Sequence, residues 1–228
     1  MDSSIIFDLD NCLCAADEVG QGFHAPVFAA IRRCNEGALT DAALSEAFAD
    51  CMRFPFDEVA EKFGFTRAMR DAGLRVLESL EVVTPMHGYG DLHVLRELQA
   101  RRFLVTSGFV KLQRSKIAML GVGPWFEAVR IDAVGKQPRR GKRAVFKDLV
   151  RHFALRAGQV WVVGDNARSE IAAGNQLGMC TVQILRPGVE RSDAARYTVK
   201  NLFELKALIG RTGRRESTSP NLRSGNPQ

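Results

Sequence analysis

The sequence Ser-Ser-Ile-Ile-Phe-Asp-Leu-Asp-Asn-Cys-Leu at residues 3–13 decides the fold of this chain. Residues 5–7 form a short apolar run typical of a buried parallel strand, and the run stops at Asp8 and Asp10. Where such a strand opens into a crevice, two carboxylates can hold a divalent cation and leave one oxygen free to attack a substrate. An isolated Asp-x-Asp more often only marks a turn, so its interpretation depends on the rest of the chain.

The composition is that of an ordinary globular protein. The chain has 228 residues, 46% hydrophobic and 25% charged, which fits one substantial core and a smaller second one. No apolar run approaches the ~20 residues that cross a bilayer, and a strand beginning by residue 3 leaves no room for a signal segment. We therefore expect a cytoplasmic protein with no membrane partner. The five scattered cysteines indicate reduced thiols, and we expect Cys12 and Cys14 to pack in the core.

The net charge of +6 is concentrated in two places. Residues 136–156 contain eight Lys or Arg and one Asp, residues 211–228 contain four Arg and one Glu, and the remainder is net acidic. We interpret the first segment as a solvated helix face or a field that attracts an anionic substrate, and favour nucleic-acid binding less. Residues 211–228 are rich in Ser, Gly, Pro, Asn and Arg, which predicts a disordered basic tail.

Residues 14–86 contain no convincing strand. Helical patterns cover residues 25–33, 40–52, 56–63 and 66–80. This is far more chain than the dozen or so residues that a crossover between parallel strands requires. We therefore expect a small helical cap domain at 14–86, inserted after the first strand.

Strands and helices alternate from about residue 87 to residue 210. Strict alternation implies right-handed crossovers and a parallel sheet covered on both faces. The prediction is an α/β fold in which residues 1–13 and 87–210 form a doubly wound, Rossmann-like parallel sheet. Further strands are predicted at residues 103–105, 128–131, 159–163, 180–185 and 197–199, and helices at 91–100, 110–120, 141–153, 168–177 and 202–209.

Polar residues directly follow three of the predicted strands. They are Asp8 with Asp10, then Thr106, then Asp165. Because the carboxyl ends of parallel strands face one crevice, we expect these side chains to meet. Carboxylates bind Mg²⁺ together with substrate phosphate oxygens, and a hydroxyl and a backbone amide at Thr106 and Ser107 suit a phosphoryl group. The pattern predicts phosphoryl chemistry with Mg²⁺ as cofactor.

A positive side chain for the transferring group is available in the basic segment. Lys142 opens the helix predicted at 141–153. Lys136 is the alternative, because it follows the preceding strand more closely.

The chain resembles the haloacid dehalogenase (HAD) superfamily of phosphohydrolases from residue 3 to about residue 209. The inserted helices look like the small cap of its nucleotidase-like members. The matching motifs are Phe-Asp-Leu-Asp-Asn at 7–11, Val-Thr-Ser-Gly at 105–108, a lysine upstream of Phe146, and Val-Gly-Asp-Asn at 163–166 followed by Glu170 and Ile171.

The resemblance implies catalytic and metal-binding roles for three aspartates. Asp8 is implied to be the nucleophile that forms an aspartyl-phosphate. Asp10 is implied to protonate the leaving group and then to activate water. Asp8, the backbone carbonyl of Asp10, and Asp165 are implied to hold Mg²⁺.

The resemblance also implies which residues bind the phosphoryl group. They are Thr106, Ser107 and Lys142, with Asn166 and Glu170 in support. Lys142 is preferred to Lys136 because its interval to Asp165 is more like that of the family. For Glu170, a favourable charge in the first turn of its helix is an equal alternative.

Two positions depart from the family pattern. Cys12 stands where Thr or Ser is usual, and its thiol is a poorer hydrogen-bonding group that is expected to weaken the first loop. Neither candidate lysine is followed directly by the usual proline.

The expected function is that of a Mg²⁺-dependent phosphatase acting on a small phosphorylated metabolite, with a nucleoside monophosphate as one candidate. A haloacid dehalogenase is disfavoured by Asp10, because metal-free attack on carbon does not call for an acid beside the nucleophile. A phosphomutase is a further alternative. A non-catalytic binder of nucleic acid or protein that uses the basic segment is the alternative from another class.

Overall fold

The computed structural model describes residues 3–51, 54–134 and 140–217. Its centre is the strand β1 (Ser4–Phe7), whose four residues are all buried in a parallel sheet. β1 pairs on one side with β2 (Arg101–Gly108) and on the other with β4 (Val160–Gly164). The chain therefore changes direction across the sheet next to β1, which is where open α/β sheets bind ligands. The other strands are β3 (Ala128–Ala133), β5 (Cys180–Ile184) and β6 (Tyr197–Val199), in the order β3-β2-β1-β4-β5-β6.

Helices cover both faces of this sheet, so the predicted fold class is confirmed. Ile5 and Phe7 belong to one apolar core, and the intervening Ile6 belongs to another, as alternation along a strand requires. The first core includes residues of α5 (Val110–Leu120) and α8 (Leu202–Ser217), and the second includes residues of α6 (Gly141–His152) and α7 (Ala172–Gln176).

Among the described residues between β1 and β2 there are four α-helices, close to the predicted ranges. α4 begins with Thr66 as N-cap, whose side chain accepts the amide hydrogen of Met69. α1 packs on α4 near Gly73, where an added Cβ would lie 2.6 Å from the ring of Phe56 and 3.2 Å from Ile31. The four are α1 (Ala25–Arg33), α2 (Asp41–Cys51), α3 (Phe56–Lys62) and α4 (Arg67–Ser79).

The two connections to this helical segment are fastened to each other. The carboxylate of Glu18, on the outgoing connection, accepts the backbone N–H groups of His87 and Gly88 on the returning one. The amide of Tyr89 then donates to the carbonyl of Leu13 at 3.0 Å. The chain therefore leaves the sheet for the helical segment, and returns from it, at neighbouring positions.

Two predicted helices differ from the structure. The helix expected at 91–100 is a 3₁₀ helix at Leu92–Glu97, because β2 already begins at Arg101, whose amide donates to Ser3. The helix expected at 168–177 begins as one π-helical turn at Ala167–Ile171, which continues as α7.

Two predicted elements are longer than expected. β2 continues to Gly108 because β3 pairs with it to that point, so Thr106 lies within the strand and not after it. α8 continues past residue 209 to Ser217, so 211–217 are helical where a disordered tail was expected. Residues 218–228 and Lys136 lie outside the described residues.

Two further sequence expectations concern the cysteines and the membrane. No disulfide joins any of the five cysteines, all of which lie among the described residues, and Cys12 and Cys14 are buried. Among the described residues, no helix is both long and apolar enough to cross a bilayer.

A buried ion pair between Arg186 and Asp91 connects the loop after β1 to the start of α8. The guanidinium of Arg186 donates to both carboxylate oxygens of Asp91 at 2.9 Å, and its Nε donates to the carbonyl of Cys12 at 3.0 Å. Asp91 also accepts the amide hydrogen of Leu202 at 2.7 Å, at the start of α8. With both ions at least nine-tenths buried, each is needed to neutralise the other.

We expect Arg186→Met to lower the free energy of unfolding by about 3–5 kcal/mol, because it leaves the buried Asp91 carboxylate without its cation. Urea denaturation measures the change. Arg191→Met removes an exposed guanidinium nearby in sequence and is expected to stay within about 0.5 kcal/mol of the unsubstituted protein. Equal stability of the two variants would contradict the assigned role of the buried pair.

Candidate active site

Asp8 lies at the tip of β1, between the ends of β2 and β4. Its amide donates to the carbonyl of Val163 at 2.9 Å, which continues the pairing of β1 with β4 by one residue. Asp8 is 7% exposed. Burial raises the pKa of its carboxyl to about 8; the charges of Glu170 and Asp165 add to the shift, and that of Lys142 opposes it.

Lys142 joins two of the acids. Its Nζ lies 2.7 Å from Oδ1 of Asp8 and 2.7 Å from Oε2 of Glu170, and all three side chains are buried. Burial by itself favours the neutral amine, but the two carboxylates outweigh it and hold the pKa of Lys142 well above its usual value. The first turn of α6 thus presents a permanent positive charge beside Asp8.

Glu170 lies on the π-helical turn that follows β4. Its Oε1 accepts the amide hydrogen of Asn166 at 2.6 Å while its Oε2 receives Lys142. The carboxylate lies directly over Gly164, where an added Cβ would come within 2.3 Å of its Cγ. A glycine at the end of β4 is therefore what allows Glu170 to reach the lysine.

Asp165 stands beside Asp8 at the end of β4. Asn11, whose φ of 52° is left-handed, hydrogen-bonds through its side chain to Asp165. Burial raises the pKa of Asp165 to about 7, and the charge of Glu170 adds to this, while Lys142 and the bond from Asn11 oppose it. Asn11 thus links the two loops that carry the acids.

Three of these carboxylates fit a divalent cation. One oxygen each from Asp8, Asp165 and Glu170 lie within 4.8 Å of one another. An all-oxygen donor set suits Mg²⁺. The pKa values of Asp8 and Asp165 are raised mainly by burial, and the charge of Glu170 adds to both shifts. Glu170, which was expected in a supporting role, is the third member of this cluster. For Asp10 the expected ligand is the backbone carbonyl, which stays a prediction.

The side chain of Asp10 is directed to α5. Gln113 Nε2 donates to its Oδ2 at 3.0 Å, and Lys116 Nζ donates to its Oδ1 at 2.7 Å. Neither α5 residue was expected in the site. Their signal in the sequence is that polar residues occupy the buried face of a helix between Leu112 and Ile117.

The two hydroxyl residues of β2 differ in their surroundings. Thr106 is 1% exposed, in the strand next to β1. The hydroxyl of Ser107 donates to Oδ2 of Asp132 at 3.0 Å, so only its main chain is left for the expected phosphate contact.

Asp132 was missed by the sequence reasoning. Besides the Ser107 hydroxyl it accepts the amide hydrogen of Gly141 at 3.0 Å, which fixes the start of α6 just before Lys142. Asp132 follows the strand predicted at 128–131, so the rule that selected Asp8 and Asp165 would also have selected it.

Cys12, which was expected to weaken the loop after β1, makes one side-chain contact there. Its thiol lies 3.7 Å from the carbonyl of Val163, a weak hydrogen bond, and its own carbonyl is held by Arg186. Burial and the nearby charge of Asp8 raise the pKa of Cys12 well above its usual value, so the group remains a thiol.

A parallel sheet with a buried acid at the tip of its central strand, a lysine bonded to that acid and further acids beside it defines a hydrolase of the haloacid dehalogenase type. Residues 3–178 match the haloacid dehalogenase-like hydrolase family. The chain belongs to this family.

One curated relative is a glyceraldehyde 3-phosphate phosphatase of Methanocaldococcus jannaschii, with 27% identity over 128 residues. This alignment covers 54% of the chain, which spans about half the length of that relative (55%).

Solved structures show the same fold at low sequence identity. An HAD phosphatase from Thermococcus onnurineus has a TM-score of 0.61 and 21% identity, with 92% of this chain and 98% of that one covered. A 2-haloacid dehalogenase from Pseudomonas syringae has a TM-score of 0.54 and 18% identity, with 93% and 100% covered. YfnB from Bacillus subtilis, bound to magnesium, has a TM-score of 0.57 and 16% identity, with 91% and 98% covered.

We expect Gly164→Ala to lower the free energy of unfolding by about 1–3 kcal/mol, because its Cβ collides with the buried Glu170. Chemical denaturation followed by circular dichroism measures the loss. Gly158→Ala is the matched control, since no heavy atom lies within 4 Å of a Cβ at that position. If the two variants were equally stable, Glu170 would not be packed over Gly164 as described.

Proposed function

We propose that this protein is a phosphatase that hydrolyses a small phosphorylated metabolite through an aspartyl-phosphate on Asp8. The observation that carries the proposal is the buried carboxylate of Asp8 bonded to Lys142, with Asp165 and Glu170 close by. A nucleophile under a permanent positive charge suits attack on an anionic phosphoryl group. The phosphatase names of the relatives from M. jannaschii and T. onnurineus support the same class.

The proposed metal is Mg²⁺, held by the carboxylates of Asp8 and Asp165 and the backbone carbonyl of Asp10, with Glu170 in reach of the same position. The oxygen donors support this assignment, as does the magnesium bound to the B. subtilis structure. When bound, Mg²⁺ neutralises the phosphoryl oxygens and positions them for transfer.

In the first half-reaction, an oxygen of Asp8 attacks phosphorus and the bond to the ester oxygen breaks. The leaving oxygen takes a proton from Asp10. Thr106, the main chain of Ser107, and Lys142 bind the phosphoryl oxygens, and Glu170 and Asn166 keep Lys142 in place.

In the second half-reaction, Asp10 takes a proton from water as the water oxygen bonds to phosphorus. The bond from phosphorus to Asp8 breaks, which restores the carboxylate and releases inorganic phosphate. The same residue thus acts first as acid and then as base.

We further propose that residues 14–86 act as a cap that selects the substrate. His24, in front of α1, lies close enough to Lys116 for that charge to add to the lowering of the His24 pKa by burial. His24 also stacks on Phe28 with ring centroids 6.3 Å apart. These rings favour nucleoside monophosphates as the first substrates to test, beside the triose phosphate suggested by the M. jannaschii relative.

The alternatives are weaker. The basic segment, on which a nucleic-acid binder would rely, contributes Lys142 to the acid cluster and pairs Arg140 with Asp148 on α6. A dehalogenase has no use for the acid cluster beside the nucleophile. A phosphomutase would show turnover only with a bisphosphate added.

We expect Asp8→Asn to lower the turnover of p-nitrophenyl phosphate with Mg²⁺ by about 10³-fold or more, because the amide cannot form the acyl-phosphate. The release of p-nitrophenolate measures turnover. Asp17→Asn, which changes an exposed acid a few residues away, is expected to keep the unsubstituted rate. Absence of turnover by the unsubstituted protein over a broad panel of phosphate esters would refute the proposed function.

The raised pKa values of Asp8 and Asp165 predict that Mg²⁺ binds more tightly as the pH rises. Without metal, both groups are largely protonated at pH 6 and ionised above pH 8.5, so binding at the lower pH must displace protons. We expect the affinity to rise about tenfold or more between pH 6 and pH 8 and then to level off. Calorimetry in two buffers of different ionisation enthalpy measures both the affinity and the proton release.

The same groups predict a change in the stability of the metal-free protein. Because their pKa values are higher in the folded than in the unfolded chain, the stability they contribute is complete below about pH 4, falls progressively as the pH rises, and is fully lost above about pH 8.

An affinity for Mg²⁺ that does not change between pH 6 and pH 8 would contradict the assignment of Asp8 and Asp165 as ligands.

A further inference from the structure

Two buried side chains of α5 form a cradle around Asp10. Gln113 and Lys116 are three residues apart and so share one helix face, and they are 4% and 5% exposed. Each binds a different oxygen of the Asp10 carboxylate, at 3.0 Å and 2.7 Å. These two contacts restrict the side-chain torsions of Asp10 and fix the direction of its carboxylate.

The orientation of the Gln113 amide is determined by its partners. Its Nε2 donates both to Oδ2 of Asp10 and to the backbone carbonyl of Ser107 at 3.2 Å, and both partners are acceptors. Its Oε1 is buried and has no hydrogen-bond partner among the described residues. A buried oxygen without a partner lowers stability, so this orientation of the amide is held at a cost to the fold.

The groups that contact the Asp10 carboxylate are hydrogen-bond donors. The ammonium of Lys116 and the amide of Gln113 each donate to one of its oxygens, and the thiol of Cys14 lies 4.0 Å from Oδ1. These contacts hold the side chain that takes a proton from water in the second half-reaction. An exposed aspartate in a mobile loop would have neither a fixed direction nor a dry environment.

We propose that Gln113 and Lys116 are positioning residues that hold Asp10 as the base for hydrolysis of the aspartyl-phosphate. The inference rests on the proposed phosphatase function, because it concerns its second half-reaction. Water then loses its proton to the held carboxylate while its oxygen bonds to phosphorus and the bond to Asp8 breaks. The rate of this step depends on where the carboxylate points.

Rapid-mixing measurements with p-nitrophenyl phosphate and Mg²⁺ separate the two half-reactions. p-Nitrophenolate leaves as an anion and needs no proton from Asp10, so the first turnover reports formation of the aspartyl-phosphate. The steady state that follows reports its hydrolysis. Removing the contact of Gln113 or Lys116 with Asp10 is expected to lower the steady-state rate and to leave the first turnover unchanged.

For Lys116→Met and Gln113→Leu we expect a burst of about one p-nitrophenolate per protein molecule, followed by a steady-state rate about tenfold or more below that of the unsubstituted protein. Lys116→Arg, which keeps a donor, is expected to recover part of the rate. Arg114→Met removes a positive charge from the exposed face of the same helix and is expected to keep the unsubstituted kinetics.

A double variant tests whether the lysine acts through Asp10. In an Asp10→Asn background, adding Lys116→Met is expected to leave the steady-state rate unchanged. A further fall in that rate would overturn the inference, as would an unchanged rate in the single Lys116→Met variant. Equal loss of burst and steady state in a variant that still unfolds cooperatively would show a merely structural role.

The outcome separates this inference from the proposed function. If the unsubstituted protein turns over substrate and neither α5 variant changes the rate, the positioning role of Gln113 and Lys116 is wrong, and the phosphatase proposal stands. Failure of the unsubstituted protein to release any p-nitrophenolate overturns the phosphatase proposal, and the inference with it.

Discussion

The structure depends on the buried ammonium group of Lys142, which two carboxylates share. Lys142 lies 2.7 Å from both Asp8 and Glu170, out of contact with bulk water, and each charge would be strongly destabilising without the others. With Asp165 included, three carboxyl groups face one lysine, and their oxygens form a donor set that suits a divalent cation. This charged group joins the tip of β1 to α6 and to the π-helical turn after β4, in addition to their apolar contacts.

The local backbone is shaped to allow that arrangement. Gly164 leaves space for the carboxylate of Glu170, and a π-helical turn places Glu170 on the crevice side of α7. π-Helical turns are found disproportionately at functional sites. On the backbone side of Lys142, Asp132 accepts the amide hydrogen of Gly141, the first residue of α6. The positions of Lys142 and Glu170 therefore depend on local features of three separate elements: a glycine in β4, a π-helical turn and an acid in β3.

The sequence predicted the sheet and most of the acid cluster, because both depend on patterns that are local. A short apolar run followed by a carboxylate is visible without knowledge of the fold, and the parallel topology then brings Asp8 and Asp165 together. The helix expected at 91–100 failed because apolar spacing does not reveal that residue 101 already pairs with the sheet and that Asp91 serves a distant arginine. Gln113, Lys116 and Arg186 were missed for the same reason: each acts through a partner more than ninety residues away.

The contact between Asp91 and Leu202 has a consequence for how the protein is made. The loop that carries Asp8 is fixed in part by Arg186, which is held by Asp91, which in turn receives the amide of Leu202. Synthesis proceeds from the amino terminus, and domains fold as units. The loop that carries Asp8 therefore gains this support only after Leu202 has been synthesised, although Asp8 precedes Leu202 by 194 residues.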